Sequence, residues 1–297
     1  MSIFLRETNR CSYTYKQKSG TNMKRLKSIF ISMYLMVLAG LTFYLGIHFE
    51  PTLSWASASL SVMPSLLFFI ILMGLRPTAR TNPHVLIISF PTYIGLACNI
   101  HEFNTTFHII SLAGTILWIV YLYWYSIYPS RSSTSLTIGE KLPKFHLKNE
   151  NDTLVSSKSF IGKPLLLIFY RGNWCPLCMA QIKEIAKEYH SLSDKGLQIA
   201  FVSPQNQQKT KSLSDTFKLP FIFLTDEKNA LAKQLNILDE KGIPLGMEMI
   251  GYDSETVMPT VLMTNKEGTI IFLDQTDNYR TRPEPSTYLD ILTQNGL

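Results

Sequence analysis

Residues 165–191 read LLLIFYRGNWCPLCMAQIKEIAKEYHS. Leu165–Tyr170 is an uninterrupted apolar run, it breaks at Arg171-Gly172-Asn173, and Cys175 and Cys178 follow as a C-P-L-C pair. Beyond them Met179, Ile182, Ile185, Ala186 and Tyr189 recur at helical spacing, with Lys183, Glu184, Lys187 and Glu188 on the opposite face. A strand that is apolar on both faces belongs in a sheet covered on both sides. The stretch is therefore read as a buried strand turning into a helix, with two thiols on the first helical turn. Thiols at i and i+3 there are close enough to form a disulfide, and the unpaired N–H groups and positive dipole end favour a thiolate at the first. Cysteines in such settings have pKa values of roughly 3.5–7.5 in place of about 8.5. Cys175 is the expected nucleophile and Cys178, one turn deeper, the resolving thiol. Pro176 suits the first helical position, where no N–H is missed.

The residues around this unit continue the same alternation. Phe145–Leu147 and Thr153–Val155 flank a turn at Asn149–Asp152 and predict an opening hairpin. Leu197–Val202 and Phe221–Leu224 read as strands, Asn206–Phe217 and Asn229–Leu235 as helices. Val261–Met263 and Thr269–Leu273 alternate around Asn265–Gly268 as a second hairpin, and Ser286–Leu292 closes with a helix. The order β-α-β-α-β-α-β-β-α predicts a three-layer α/β sandwich. A zinc site needs two further ligands, and there is no second C-x-x-C. No metal and no cofactor is expected beyond a redox-active Cys175–Cys178 disulfide.

Residues 137–297 resemble the thioredoxin-fold redoxins, specifically the peroxiredoxin-like (alkyl hydroperoxide reductase C/thiol-specific antioxidant) group. The resemblance rests on FYRGNWCPLC at 169–178, FIFLTDEKNALAKQLNI at 221–237 and VMPTVLMTNKEGTIIF at 257–272. It implies a thioredoxin-like sandwich, Cys175 as the attacking thiol, and Met258-Pro259-Thr260 as the cis-proline loop facing the thiols. Trp174 matches the aromatic residue that precedes the attacking cysteine. The resemblance also implies departures. The family places a threonine three residues before that cysteine, and this chain has Gly172. A distant arginine usually stabilises the thiolate, for which Arg171, Arg280 and Arg282 are candidates. W-C-P-L-C itself is closer to a disulfide oxidoreductase motif than to a standard peroxide pocket.

The mean hydropathy of +0.08 averages two unlike halves. Residues 28–128 hold only Glu50, Arg76, Arg80 and Glu102 as charges. Ile29–Phe49, Trp55–Leu75, Val85–Ile100 and Phe107–Tyr128 are read as four spans, since about 20 apolar residues cross hydrocarbon. The third is shorter and contains Pro91. A cleavable signal peptide is the rival reading of the first, with Ala56-Ser57-Ala58 as a cleavage-like triplet, but its apolar region exceeds the usual ~7–15 residues. Met23, directly before KRLK, is an alternative start. The basic N-terminal tail, Arg76 and Arg80, and Arg131, Lys141 and Lys144 alternate with loops that hold no Lys or Arg. By the bias of cationic residues toward the cytoplasm, the tail, the second loop and the C-terminal domain fall inside. Tyr121, Tyr123, Trp124, Tyr125 and Tyr128 read as an interfacial aromatic belt. His48, His101 and His108, with Glu50 and Glu102, read as interfacial polar residues rather than ligands.

The expected organisation is thus a cytoplasmic tail (1–27), an all-α transmembrane bundle of four helices (28–129), a linker (130–136) and the redoxin domain (137–297). The net charge of +6 fits cytoplasmic membrane flanks and not nucleic-acid binding, since no dense basic stripe interleaves with aromatics. The function read from these features is a thiol-dependent oxidoreductase at the inner face of a membrane, reducing peroxides or, alternatively, protein disulfides. Its expected partners are an external dithiol donor such as thioredoxin, the peroxide or protein-disulfide substrate, and the lipid bilayer. A reading of a different class is a non-catalytic docking domain, against which the intact C-x-x-C argues.

Overall fold

The computed structural model describes residues 4–75, 78–98, 104–128, 131 and 134–297, and of residues 4–21, 75 and 83 the backbone alone. Arg76, Ile100, His101, Glu102 and linker residues 130, 132 and 133, each used in the sequence reading, lie outside the described residues.

The N-terminal half is helical: α1 (Phe4–Ile47), α2 (Leu53–Ile70), α3 (Asn82–Cys98) and α4 (Thr105–Val120). Polar side chains start two of them, the Thr52 hydroxyl accepting from Trp55 N and the Asn104 carboxamide from Thr106 N and Phe107 N. Two widen into π-helical stretches at Ile71–Leu75 and Tyr121–Tyr125, so the described part of this half has six helical segments where four helices were expected. Among the described residues, three stretches are long and apolar enough to cross a membrane: Asn22–Ile47, Leu53–Gly74 and Thr105–Tyr125. The third expected span is, among the described residues, the shorter apolar helix His84–Cys98, below the ~20 residues that hydrocarbon requires. It nonetheless runs antiparallel to α2, with Asn82 at the start of α3 on Arg280 and Gly95 against Ser57 near the start of α2, so the chain passes along the bundle four times.

Small residues let these helices approach closely. A Cβ on Gly95 of α3 would lie 2.5 Å from Ser57 O of α2, and one on Gly114 of α4 would lie 2.8 Å from Val62 Cγ2. Without a hydrophobic force between helices in lipid, such contact is how apolar helices hold together.

The C-terminal half is a seven-stranded sheet. Its strands are β1 (His146–Asn149), β2 (Leu154–Ser156), β3 (Leu165–Phe169), β4 (Gln198–Ser203), β5 (Ile222–Thr225), β8 (Thr260–Thr264) and β9 (Ile270–Asp274). The order is β2-β1-β5-β4-β3-β8-β9, with β3, β4 and β5 parallel and the remaining pairings antiparallel. β6 (Leu238–Asp239) and β7 (Thr256–Val257) form a separate two-stranded bridge that sequence periodicity did not reveal, each being two residues long.

The unbroken apolar character of β3 follows from its place in the sheet. Leu166 and Ile168, with Tyr170 just beyond, join one buried cluster with α5 (Pro176–Lys187), α7 (Gln207–Phe217) and α9 (Pro285–Gln294). Leu165, Leu167 and Phe169 join a second with α8 (Ala230–Gln234) and Phe145 and Phe160. Alternate side chains point to opposite faces, and here both faces are covered. A short α6 (Tyr189–Ser193) follows α5. This is the expected three-layer, thioredoxin-like arrangement, and it sets Cys175 at the carboxyl end of a central strand.

The two halves pack as one body along the segment 277–283. Tyr279 Oη donates to Tyr121 Oη at 2.7 Å, Thr81 N to Arg280 O at 3.0 Å, and Tyr279 N to Ser126 O at 3.1 Å. Arg80 reaches Glu184 of α5 at 2.7 Å and Glu284 at 3.2 Å, and its guanidinium also donates to Arg282 O and Pro283 O. Arg80→Ala removes this clamp. Half-buried ion pairs of this kind are worth about 1 kcal/mol, so the amides of Arg280, Thr281 and Arg282 should exchange about fivefold faster, as read by hydrogen exchange and mass spectrometry.

Candidate active site

The site begins where β3 ends. Strand pairing carries the chain to Phe169, and the backbone then turns sharply through Arg171–Trp174 before Cys175 takes the N-cap position of α5, with Pro176 as its first helical residue. Gly172 makes the turn, with φ at +139°, a conformation that side-chain-bearing residues rarely adopt. A Cβ there would also lie 2.8 Å from Trp174 Cδ1 and Nε1. Glycine in place of the family's threonine is therefore a requirement of this turn. Gln205 and Tyr252 pin it from outside: Asn173 N donates to Gln205 Oε1 at 2.9 Å, Gln205 Nε2 donates to Tyr170 Oη at 3.0 Å, and Tyr252 Oη donates to Asn173 Oδ1.

The two sulfurs are 2.9 Å apart as free thiols, Cys178 Sγ donating to Cys175 Sγ. Both are buried, Cys175 at 3% exposure and Cys178 at 1%. The proton accepted from Cys178 favours the charged form of Cys175, burial opposes it, and the charges of Arg171 and Arg282 favour it again; the Cys175 thiol is lowered to about 6. Cys178 moves the other way, its pKa raised by burial and then by its bond to Cys175. The two shifts favour a Cys175 thiolate accepting a hydrogen bond from the Cys178 thiol.

The cations come from three separate segments. Arg171 lies 3.6 Å from Asp239 Oδ2, donates to Gly242 O, and holds its guanidinium 4.9 Å from the Trp174 ring centre. Arg282 is 4% exposed and donates to Thr281 O at 2.7 Å. Arg131 donates to Pro259 O at 2.8 Å and lies 5.6 Å from the Tyr128 ring. Burial pushes Asp239 up, against the pull of Arg171, and it pushes Asp274 up against Arg282. These three guanidiniums thus sit among two carboxylates and the Cys175 sulfur. Five of their N–H nitrogens, Arg131 Nε and Nη2, Arg171 Nε, and Arg282 Nε and Nη2, are buried without a hydrogen-bond partner.

Of the arginines singled out in the sequence, Arg171 and Arg282 act on the thiol. Arg280 instead donates to Asn82 Oδ1 at 3.3 Å, at the edge of the helical half. The expectation of a cis proline is corrected: no peptide bond among the described residues is cis. Met258-Pro259-Thr260 runs extended from β7 to β8, held by Met258 N on Ile237 O and by Thr260 Oγ1 on Met258 O. The trans isomer is the lower-energy form of an X–Pro bond by ~0.5–1 kcal/mol, and this path does not call for the other. Asp239, Gln205, Tyr252 and Arg131 were not found in the sequence as site residues. None belongs to a local motif, and each reaches the site through folding.

Residues 138–273 match the model of the AhpC/TSA family. The segment is an AhpC/TSA family domain. The AhpC/TSA domain makes the chain a thiol-dependent oxidoreductase, and α1–α4 lie before it. Among similar proteins, peroxiredoxin Bcp of Bacillus subtilis is 27% identical over 137 residues, covering 46% of this chain and 83% of that protein. The chloroplastic peroxiredoxin Q of Populus jackii is 28% identical over 136 residues, covering 39% of this chain and 64% of that protein. Among solved structures, peroxidoxin BcpB from Mycobacterium tuberculosis aligns with a TM-score of 0.44 at 13% identity, over 54% of this chain and 97% of that one.

Two measurements check the geometry. Gly172→Thr forces both a strained backbone and a clash with Trp174, so it should destabilise the AhpC/TSA domain by ~1–3 kcal/mol, read as a fall of several degrees in Tm. Alkylation of Cys175 by iodoacetamide should rise with pH through a midpoint near 6. Removing a neighbouring cation disfavours the thiolate, so Arg282→Gln should shift this midpoint upward and slow alkylation at pH 6 by about threefold or more.

Proposed function

We propose that this chain is a membrane-anchored, peroxiredoxin-like peroxidase that cycles Cys175 and Cys178 between dithiol and disulfide. The observation that carries the reading is the 2.9 Å contact between the two sulfurs, with the Cys175 thiol lowered to about 6 by its bond from Cys178 and, against burial, by the charges of Arg171 and Arg282. The Cys175 thiolate attacks the outer oxygen of the peroxide, the O–O bond breaks, and the leaving alkoxide or hydroxide takes a proton to depart as alcohol or water. Cys175 becomes a sulfenic acid. The Cys178 sulfur then attacks the Cys175 sulfur, water leaves, and a disulfide forms. An external dithiol such as thioredoxin returns two electrons and two protons. The unpartnered Nε and Nη2 N–H groups of Arg282 are donors suited to the charge that grows on the peroxide oxygens as the bond breaks.

The runner-up is reduction of protein disulfides, favoured by the W-C-P-L-C motif itself. Against it stands the burial of Cys175 at 3% exposure, which suits a substrate of two oxygen atoms better than a sulfur carried on another protein. Docking without catalysis gives no account of a lowered thiol pKa.

Three apolar helices of membrane-spanning length support anchoring. The distribution of Lys and Arg supports a cytoplasmic AhpC/TSA domain.

The test uses the purified full-length chain with hydrogen peroxide and a thioredoxin donor, and separately with an insulin-type disulfide. Peroxide turnover is expected, lost in Cys175→Ser; in Cys178→Ser the sulfenic acid on Cys175 should persist and be captured by dimedone. Disulfide turnover without peroxide turnover would favour the runner-up, and inertness toward both would favour docking. A C-terminal reporter active only outside the cytoplasm would overturn the orientation.

A further inference from the structure

A cavity of about 400 Å³ lies between the helical half and the AhpC/TSA domain, within the ~300–1,000 Å³ range of ligand pockets. One wall is the start of the first apolar stretch, with Lys24, Lys27 and Ser28, and a second is the aromatic end of the last, with Tyr123, Trp124, Tyr125 and Tyr128. The floor is the active-site side of the AhpC/TSA domain, where Arg171, Asp239, Lys241 and Gly242 line it.

Three features define what fits. The lining holds four cations, Lys24, Lys27, Lys241 and Arg171, against the single carboxylate of Asp239; Glu240, 3.7 Å from Lys24, still leaves an excess of cations. Two buried donors that line the cavity have no hydrogen-bond partner, Arg171 Nε, on a side chain 6% exposed, and Tyr128 Oη. Both call for oxygen acceptors. The remaining surface is aromatic and apolar, led by Trp124, over whose ring Lys27 Nζ lies at 5.6 Å. An anionic oxygen head with an apolar body satisfies all three.

Position selects the source. Lys24 and Lys27 begin one candidate span and Tyr123–Tyr125 end another, so in a bilayer the cavity stands at the level of the lipid head groups, where basic residues and aromatic rings gather. We propose that this cavity binds an anionic phospholipid of the leaflet facing the AhpC/TSA domain, its phosphate oxygens against Arg171, Tyr128 and the lysines and its acyl chains along Trp124. This rests on the reading of the helices as membrane spans. The membrane half is then part of a lipid site that shares Arg171 with the thiol centre.

The experiment uses the full-length protein in nanodiscs of equal phosphatidylcholine and phosphatidylglycerol, with retained lipid counted by native mass spectrometry. One phosphatidylglycerol should be retained about tenfold over phosphatidylcholine, and Lys27→Gln/Lys241→Gln should reduce that preference below about twofold. In the wild type, phosphatidylglycerol with a photoreactive acyl chain should label peptides containing Trp124. Equal retention of the two lipids, or labelling that avoids this region, overturns the proposal. So does an arm with inorganic phosphate alone, if phosphate shields Lys27 and Lys241 from acetylation as well as the lipid does. Extraction at alkaline pH tests the membrane reading separately, and wild-type hydrogen peroxide turnover in phosphatidylcholine alone tests the peroxidase reading.

Discussion

A thiolate held at 3% exposure is unstable unless cations stand beside it, because burial favours the neutral thiol. In this chain the compensation is the Cys178 proton and the charges of Arg171 and Arg282. The guanidiniums raise the same problem in turn, since buried charges need partners of their own. Asp239 meets Arg171, Asp274 lies within the field of Arg282, and Arg131 bears on both carboxylates. The active centre is therefore a buried network of charge in which the Cys175 sulfur is one of the anions. Every element that supplies a member of that network must be in register for the thiol to be reactive.

That dependence gives the helical half a structural part in the site. Segment 277–283 carries Arg282, and it is held from the helical side by Arg80, Thr81, Ser126 and Tyr121. Arg80 also ties this segment to α5 through Glu184. The linker region contributes Arg131, bonded to Pro259 O. A tether would need none of these contacts. Loss of the clamp would loosen Arg282 while leaving the strand–turn–helix that carries the cysteines in place, so the geometry separates the presence of the dithiol from its ionisation.

The glycine of the active-site turn follows the same logic on a smaller scale. Trp174 occupies the space that a side chain at position 172 would need, and its ring in turn faces the Arg171 guanidinium. Replacing the family's threonine therefore accompanies an aromatic lid over the cation.

Much of the protein was legible in its sequence because the signals are local. The apolar run of β3, the helical period of α5, the C-P-L-C spacing and the hairpin at Asn265–Gly268 each lie within a few residues, and all appear in the structure. The apolar helices were legible for the same reason, with α3 the shortest of them among the described residues, whereas the π-helical widening of two others has no pattern in hydropathy. What only the tertiary structure decided is which charges meet. Arg171 and Asp239, Arg282 and Cys175, and Arg131 and Pro259 are brought together across long stretches of chain, and no periodicity encodes such pairs. The proline loop shows the same division: its residues were recognisable, but its place beside Ile237 and Arg131 comes from folding. Sequence determined where the thiols stand on their helix, since that depends on backbone period and burial. Folding determined how acidic they are, since that depends on charges that only packing brings within reach.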